Sequence, residues 1–530
     1  MENTVWSLLP PLLAIVMVLL TKRVLVSLAF GIIAASFLLA QFSIFETFAL
    51  IWEAFSGVFV DGGALNTWNV FILSFVLMLG VITAFISMMG GARAFGEWMI
   101  KRVKSRAGAQ IMTAILGIVI FIDDYFNSLT VGQVAKPITD QHRISRAKLS
   151  YIIDSTAAPV CVVAPISSWG AYIIGVLGSI LVAQGITDFS AFSAFLQIIP
   201  MNLYVWAALG LVFVIAIKNA DFGPMSVHEK RALQTGQVTD PSHKEVVDAE
   251  DKLPISQNGK VRDLFLPLIL LFAATIAAII FTGVRATTEN MTLINIFGNA
   301  DVPLSLLVGG ITGLLFTFIL YFRQHSKDQL GSGASILLGV KEGLRSMLPS
   351  VGILIMAWMI VSLIDQLGTG TFLAEIVKGA NISSSLLPAI LFVFAGVIAF
   401  STGTSWGSFG LLLPIAGQIA ASTDINLILP MLAAVLAGAV MGDHCSPISD
   451  TTILSSTGAN CHHMDHVTTQ IPYALTAAGI SLIGYIILGL TSSVWLGLGT
   501  VFLGLIVVYV LLKPDSQSMT TNQDKEAIAK

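Results

Sequence analysis

The sequence predicts an all-α polytopic membrane protein built from two inverted-topology repeats, each with a re-entrant hairpin and a discontinuous helix. Three observations carry that prediction. The 530 residues are 55% hydrophobic and only 11% charged, with mean hydropathy +0.86, whereas a water-soluble domain holds about 25% charged residues. Apolar stretches of the length needed to cross a bilayer, about 20 residues each, recur along the chain. Two long apolar stretches are interrupted by related polar segments, 288 positions apart.

Composition also excludes several classes of function. The net charge of −4 comes without any basic patch interleaved with aromatics, so nucleic acid is not a partner. Cys161, Cys445 and Cys461 are odd in number and read as free thiols. The first apolar run, Val5 to Leu20, has no basic residue before it and Lys22–Arg23 after it. That flank order is wrong for a signal peptide and reads as an uncleaved first crossing. No GxxxxGK[ST] loop occurs, so an ion gradient rather than ATP is the expected driving force, with no cofactor.

Basic residues set the topology, because Lys and Arg concentrate on the cytoplasmic side. Glu2 precedes the first span and Lys22–Arg23 follow it, which puts the N-terminus outside. Glu46, Glu53 and Asp61 mark the next outer segment, and Arg93, Lys101, Arg102, Lys104 and Arg106 a cytoplasmic loop. The run 107–140 has basic flanks on both sides and reads as a re-entrant hairpin tipped by DDYFNS. The run 149–183 is too long for one plain helix and is broken by DSTAAPVCVVAPISSWG. Residues 1–217 form the first half, and 218–261 form a polar cytoplasmic linker without a hydrophobic period. The second half, 262–512, holds a hairpin at 386–422, a broken helix at 427–459 and two closing helices; 513–530 is a cytoplasmic tail. The total is about eleven crossings plus two hairpins.

The halves match one another. Pro159 falls on Pro447, Ser167–Ser168 on Ser455–Ser456 and Gly170 on Gly458, all at the same offset. Leu25–Leu39 is similar to Leu304–Leu320, and the hairpin ending in Lys136–Pro137 to that ending in Leu413–Pro414. Matching elements enter from opposite sides, which is the inverted repeat of secondary transporters, whose broken helices meet at the bilayer midplane.

The four irregular tips are DDYFNSLTVG (123–132), DSTAAP (154–159), STGTSWGSFG (401–410) and GDHCSPISDTT (442–452). Each Asp at the centre of a membrane helix costs about 2.5–3.5 kcal/mol, so the adjacent Asp123 and Asp124 need compensation. Two neighbouring carboxylates in a low-dielectric site do not both ionise readily without a cation, which makes competition between Na⁺ and protons natural. A helix cap at a membrane edge is the plainer reading of that pair. Asn127 and Ser128 follow it on the same tip. Asp154, with Ser155 and Thr156, and Asp443 begin the two breaks and serve equally as ion ligands or as caps. His444 titrates near neutrality and reads either as a proton relay or as a buried, hydrogen-bonded histidine. Thr402, Thr404, Ser405, Ser408, Ser446, Asp450, Thr451 and Thr452 are further oxygen ligands, or else bond their own backbone at a kink. Such hard oxygens suit Na⁺ better than soft metals. Cys461, His462, His463 and His466 have a metal-like spacing, but they are read as part of a cytoplasmic loop with no second paired motif.

These four stretches resemble the NhaC family of bacterial Na⁺/H⁺ antiporters, over nearly the whole membrane part. The resemblance implies a multi-pass protein of the bacterial inner membrane, a scaffold domain and a transport domain of hairpins and broken helices, a homodimer, and elevator-like movement. The leading reading is Na⁺/H⁺ exchange, with Asp123, Asp124, Asp154 and Asp443 competing for Na⁺ and protons. Relatives also exchange carboxylic acids or carry amino acids with Na⁺, so a Na⁺-coupled symporter or exchanger of an amino acid or small carboxylate is the alternative. A passive channel and a membrane hydrolase fit less well, the latter for want of a nucleophile–base constellation.

Overall fold

The computed structural model describes residues 4–21, 23–241, 253–287, 291, 296, 299–325, 332–368, 372, 383–447 and 449–512. The tail at 513–530 and the middle of the linker, 242–252, lie outside the described residues. The chain is a polytopic, mostly helical membrane protein. Backbone N–H and C=O groups in hydrocarbon have no water to bond, so each apolar run satisfies them internally as a helix.

In the first half, α1 (Leu9–Thr21) packs on α2 (Val24–Leu39), and α3 (Ile44–Phe59) leads into a two-residue hairpin, β1 (Val60–Asp61) with β2 (Ala64–Leu65). Gly62 and Gly63 make its turn at φ +56° and +82°. Then come α4 (Thr67–Met89), α5 (Gly91–Ile100), α6 (Arg106–Val119), α7 (Asp124–Gln141), α8 (Arg146–Thr156), the short α9 (Ala158–Cys161), α10 (Ser168–Ala183), α11 (Ala191–Ile198) and α12 (Leu203–Lys218). A surface helix, α13 (Pro224–Thr235), connects to the second half. That half comprises α14 (Val261–Ala286), α15 (Val302–His325), α16 (Gly333–Gln366), α17 (Leu387–Thr402), α18 (Ser405–Thr423), α19 (Ile428–His444), α20 (Asp450–Gly458), α21 (His463–Thr491) and α22 (Val494–Leu511).

Among the described residues eight helices are long and apolar enough to cross a membrane, and a ninth span results if Ala191–Met201 and Leu203–Lys218, bent by 47°, count as one. The eleven crossings expected from the sequence also counted shorter apolar helices, such as Leu25–Leu39 and Ser168–Ala183. Helix breaks fall at all four irregular stretches: between α6 and α7, where the break ends at Asp123 and the rest of that stretch is helical, between α8 and α10, between α17 and α18, and between α19 and α20.

Packing divides into two sets of neighbours. In one, α14, α15, α16 and α2 gather round α4 and each other; in the other, α17, α18 and α19 pack together, α7 lies on α20, and α12 lies on α21 and α22. Lipid tails are as apolar as leucine, so these helices associate through close backbone approach rather than a hydrophobic drive. Gly438 and Gly442 form a GxxxG step on α19. A Cβ at Gly438 would sit 2.1 Å from Phe392 O, and one at Gly442 would sit 2.0 Å from Gly396 O. The crossing of α7 with α20 is similar: a Cβ on Gly132 would meet Gly458 C at 2.4 Å.

The linker, read from the sequence as a polar loop without a hydrophobic period, is not all loop. Its Pro224–Thr235 segment is a helix docked on the membrane part through buried charges. Glu229, 2% exposed, pairs with Arg106 and accepts from Ser145 N at 2.7 Å. Lys148 pairs with Asp221, which also accepts from Tyr473 OH at 2.8 Å. The turn at Gly90, φ +71°, is closed by the returning chain, with Ser256 N donating to Met88 O at 2.9 Å.

Two outcomes follow from this packing. Gly438→Leu pushes a side chain into the α17 backbone and is expected to lower the melting temperature in detergent by the equivalent of about 1–3 kcal/mol or more. Burial pushes the Glu229 carboxyl up, but Arg106, Lys148 and the Ser145 hydrogen bonds outweigh it and hold the group below the usual value of 4.5. Its contribution is therefore complete above pH 4.5 and lost as pH falls through the lowered folded value. Glu229→Ala strands Arg106 and is expected to cost about 3–5 kcal/mol at neutral pH. Thermal melts at a series of pH values check this: the gap between wild type and variant should narrow below pH 4.5.

Candidate ion site

The breaks bring seven helix ends together. The N-termini of α7, α10, α18, α20 and α21 and the C-termini of α8 and α19 converge on five aspartates contributed by both halves. Helix N-termini carry unpaired N–H groups and a partial positive charge, which suits buried anions.

Asp123 caps α7, its Oδ1 accepting from Phe126 N at 3.0 Å, while its Oδ2 accepts from Ser168 Oγ at 2.9 Å. It therefore fills the capping role while lying buried beside Asp124. Asp124 accepts from Trp169 Nε1 at 2.9 Å through Oδ1, and its buried Oδ2 has no partner. Asp154 sits in the last turn of α8, so it is not an N-cap. Its Oδ2 accepts from Thr452 Oγ1 at 3.1 Å, His466 Nε2 at 3.1 Å and Gln470 Nε2 at 2.6 Å, and its Oδ1 has no partner. Asp443 likewise ends α19 rather than starting a helix, and its Oδ2 accepts from Ser405 N at 3.0 Å and Ser405 Oγ at 2.7 Å. Its Oδ1 has no hydrogen-bond partner. Asp450 accepts from Tyr125 OH and from Thr451 N, and stands within electrostatic reach of the other four. Among the described residues no Lys or Arg pairs with any of the five.

His444 is fully enclosed, with Nε2 3.1 Å from Ser155 Oγ and Nδ1 2.8 Å from Tyr204 OH. Other expected ligands are engaged with backbone carbonyls. Asn127 Nδ2 donates to Gly117 O at 2.6 Å, Ile120 O at 2.8 Å and Thr156 O at 3.2 Å, which ties the α6–α7 break to the end of α8. Thr156 Oγ1 donates to Ile152 O at 2.8 Å, Thr402 Oγ1 to Ala399 O at 3.3 Å, Ser408 Oγ to Thr404 O at 3.1 Å, and Ser446 Oγ to Phe400 O at 2.6 Å. The bonds of Thr156, Thr402 and Ser408 are the kink-stabilising kind that hydroxyls commonly make, whereas that of Ser446 joins the α19–α20 break to α17. Ser128 accepts from Ser455 Oγ at 3.3 Å where α7 meets α20, Thr451 pairs with Ser449 at 2.9 Å, and Thr404 is half-buried at the start of α18.

The expectation of a cytoplasmic Cys–His loop is corrected. His466 lies in the first turns of α21, fully buried against Asp154, because the chain turns back into the protein after Asn460. His463 bonds Pro447 O at 2.7 Å instead, so the cluster does not converge; among the described residues no group of three or more such side chains could hold a metal. Sequence reasoning placed His466 elsewhere and missed Gln470, Trp169, Ser168, Tyr125 and Tyr204 as site residues. His466 and Gln470 stand four apart, one polar pair on one helix face, and that spacing was a readable signal. Tyr204 sits in an apolar run with nothing local to mark it, whereas Trp169 lies in the SSWG end of the broken segment.

Comparisons with known proteins agree with this architecture. The family model described as "Na+/H+ antiporter family" matches residues 160–490. An uncharacterized protein of Haemophilus influenzae is 43% identical over 97% of this chain and 96% of its own length. A malate-2H(+)/Na(+)-lactate antiporter of Bacillus subtilis and an arginine/ornithine antiporter, ArcD, of Halobacterium salinarum are each 30% identical over 37% of this chain, covering 39% and 38% of their own lengths. The solved YdaH transporter of Alcanivorax borkumensis shares the fold at 15% identity, with a TM-score of 0.50 over 85% of this chain and 88% of that one. The helices able to cross a membrane, the buried carboxylates at their broken ends and a family match over more than half its length identify the chain as a member of the Na⁺/H⁺ antiporter family.

Proposed function

We propose that the chain exchanges Na⁺ for protons across the bacterial inner membrane, with its N-terminus periplasmic and its C-terminus cytoplasmic. The observation that carries this reading is the unequal supply of donors to carboxylates in one site without a Lys or Arg. Asp154 has three donors and Asp124 has one. A buried carboxylate with several donors is stable as an anion, whereas one with a single donor calls for a cation or a proton. Asp124 is therefore the exchanging group and Asp154 the fixed charge. Asp124, Asp154 and Asp443 each keep one oxygen unpartnered, a hard ligand of the kind Na⁺ takes; among the described residues no three such carboxylates stand close enough to hold one ion together, so the rest of a Na⁺ shell would come from hydroxyl, carbonyl or water oxygens. His466 is bonded to Asp154, and His444 to the neighbouring Ser155.

The halves 1–217 and 262–512 work as inverted repeats around this site. Carried over at the offset of 288, the break at Ala157 falls on Cys445, where α19 ends. Ser167–Ser168 begin α10 whereas Ser455–Ser456 lie within α20, so the second break of the first half has no counterpart. Movement of the α7–α20 unit past the α4 group would alternate access. A second reading, exchange of an amino acid or small carboxylate on the same scaffold, is favoured by the names of the partial relatives.

Proton flux in proteoliposomes containing a pH dye, under an imposed Na⁺ gradient with no organic solute, tests the first reading. Protons should move against Na⁺. Asp124→Asn should bring flux down to that of empty vesicles with membrane insertion intact, and Asp154→Asn should slow it by about tenfold or more while lowering the melting temperature. Absence of Na⁺-driven proton flux, together with Na⁺-dependent uptake of a labelled amino acid or dicarboxylate, would replace exchange by solute transport.

A further inference from the structure

The broken segments of the two halves meet through helix ends. Thr156 closes α8 and His444 closes α19, and the two positions stand 288 apart, the offset that aligns the segments in the sequence. A helix C-terminus carries unpaired carbonyls and a partial negative charge. Two such ends brought together, with Asp154 on one and Asp443 on the other, repel unless donors stand between them. One direct link exists, His444 Nε2 lying 3.1 Å from Ser155 Oγ.

A second link is Gln470, which belongs to neither segment. It lies on α21, one turn after His466, and is fully buried. Its Nε2 donates to Asp154 Oδ2 at 2.6 Å and to the His444 carbonyl oxygen. A primary amide carries two N–H bonds on one nitrogen, so a single side chain serves both helix ends. A carbonyl only accepts, and so does an ionised carboxylate. A reversed amide would set Oε1 against two acceptors, so the orientation is fixed. That orientation leaves Oε1 buried without a donor among the described residues, a cost that space-filling alone does not impose. The effect on Asp154 is one-sided. Thr452 Oγ1, His466 Nε2 and Gln470 Nε2 all donate to Oδ2, and none of them to Oδ1. Of these three donors, among the described residues, only the Gln470 nitrogen also holds the end of α19.

We propose that Gln470 is a positioning residue for Na⁺: by holding Asp154 against the end of α19 it keeps Asp154 Oδ1 free for the cation, fixes that carboxylate relative to Asp443, and thereby sets the Na⁺ affinity of the site. The inference rests on the reading of the carboxylate cluster as a Na⁺ site. Gln470 acts through Asp154, and no contact of its own with the ion is required. A charge-assisted bond from a buried donor is among the stronger hydrogen bonds a protein makes, and its loss frees the carboxylate to turn.

Thermal melts of the full chain in detergent, in NaCl against choline chloride at equal ionic strength, test the inference. Bound Na⁺ raises the melting temperature by mass action, and the rise with concentration gives its dissociation constant. Gln470→Met keeps the length of the side chain and loses both donors, whereas Gln470→Asn keeps the amide and loses the reach that spans both acceptors. Each is expected to weaken Na⁺ binding by about tenfold or more. A side chain that only filled space would, on change to Met, lower the melting temperature in choline chloride and leave the Na⁺ constant as it was. A Met variant that binds Na⁺ as tightly as wild type would therefore overturn the proposal, as would an Asn variant that does so, or a wild type that Na⁺ fails to stabilise. If one variant does not fold, the other decides. Stabilisation of the wild type by Na⁺ without Na⁺-driven proton flux ends the exchange reading and leaves this one standing; unchanged constants in both variants do the reverse.

Discussion

A carboxylate inside a membrane protein must be given donors, a cation or a proton, and the structure is arranged around five of them. The donors cannot come from regular helices, because every N–H in a helix interior is already bonded. They come from helix ends and from side chains on neighbouring elements. The chain breaks its helices where the aspartates are, so that Phe126 N, Ser405 N and Thr451 N are free to reach Asp123, Asp443 and Asp450. The supply is nevertheless incomplete: Asp124, Asp154 and Asp443 each keep an oxygen without a donor. A fully satisfied cluster would be a good structural core and a poor site for exchange.

Such convergence needs close helix contact, and this explains the placement of particular glycines. Gly442 precedes Asp443 and permits α19 to touch the backbone of α17, which positions the start of α18 to cap that aspartate. Gly132 and Gly458 do the same for α7 and α20, joining the elements that carry Asp124 and Asp450. Gly117 lies against Thr156, where a Cβ would be 2.0 Å from Oγ1, and Asn127 ties the two backbones together beside it. Packing and chemistry are thus one problem here: each backbone contact sets the distance between charges of different helices.

The linker shows the same economy of charge. Arg106 and Lys148 begin α6 and α8, which carry the first break and Asp154, and both are held by carboxylates around α13. The linker thereby grips the outer ends of two elements that build the ion site. Buried pairs of this kind contribute little over an apolar contact but fix geometry, since removal of one partner leaves a stranded charge.

Much was legible in the chain itself. Low charge and long apolar runs dictated a polytopic helical protein, because a chain without water must satisfy its own backbone. Adjacent Asp123 and Asp124, Asp154 and the GDH segment at 442–444 stood out because charge in hydrocarbon is costly wherever it occurs, and the breaks in the structure fall at those segments. Tertiary structure alone decided which partner each group meets. Asp154 looked like a helix start and lies at a helix end; His466 looked like part of a loop and lies against Asp154. Tyr204 carries no local mark, and a stretch read as linker proved to hold a docked helix. The physical reason is that desolvation cost is a property of a residue and its neighbours in sequence, whereas many of the donors are supplied by residues 38 to 325 positions away, whose approach depends on the packing of the whole bundle.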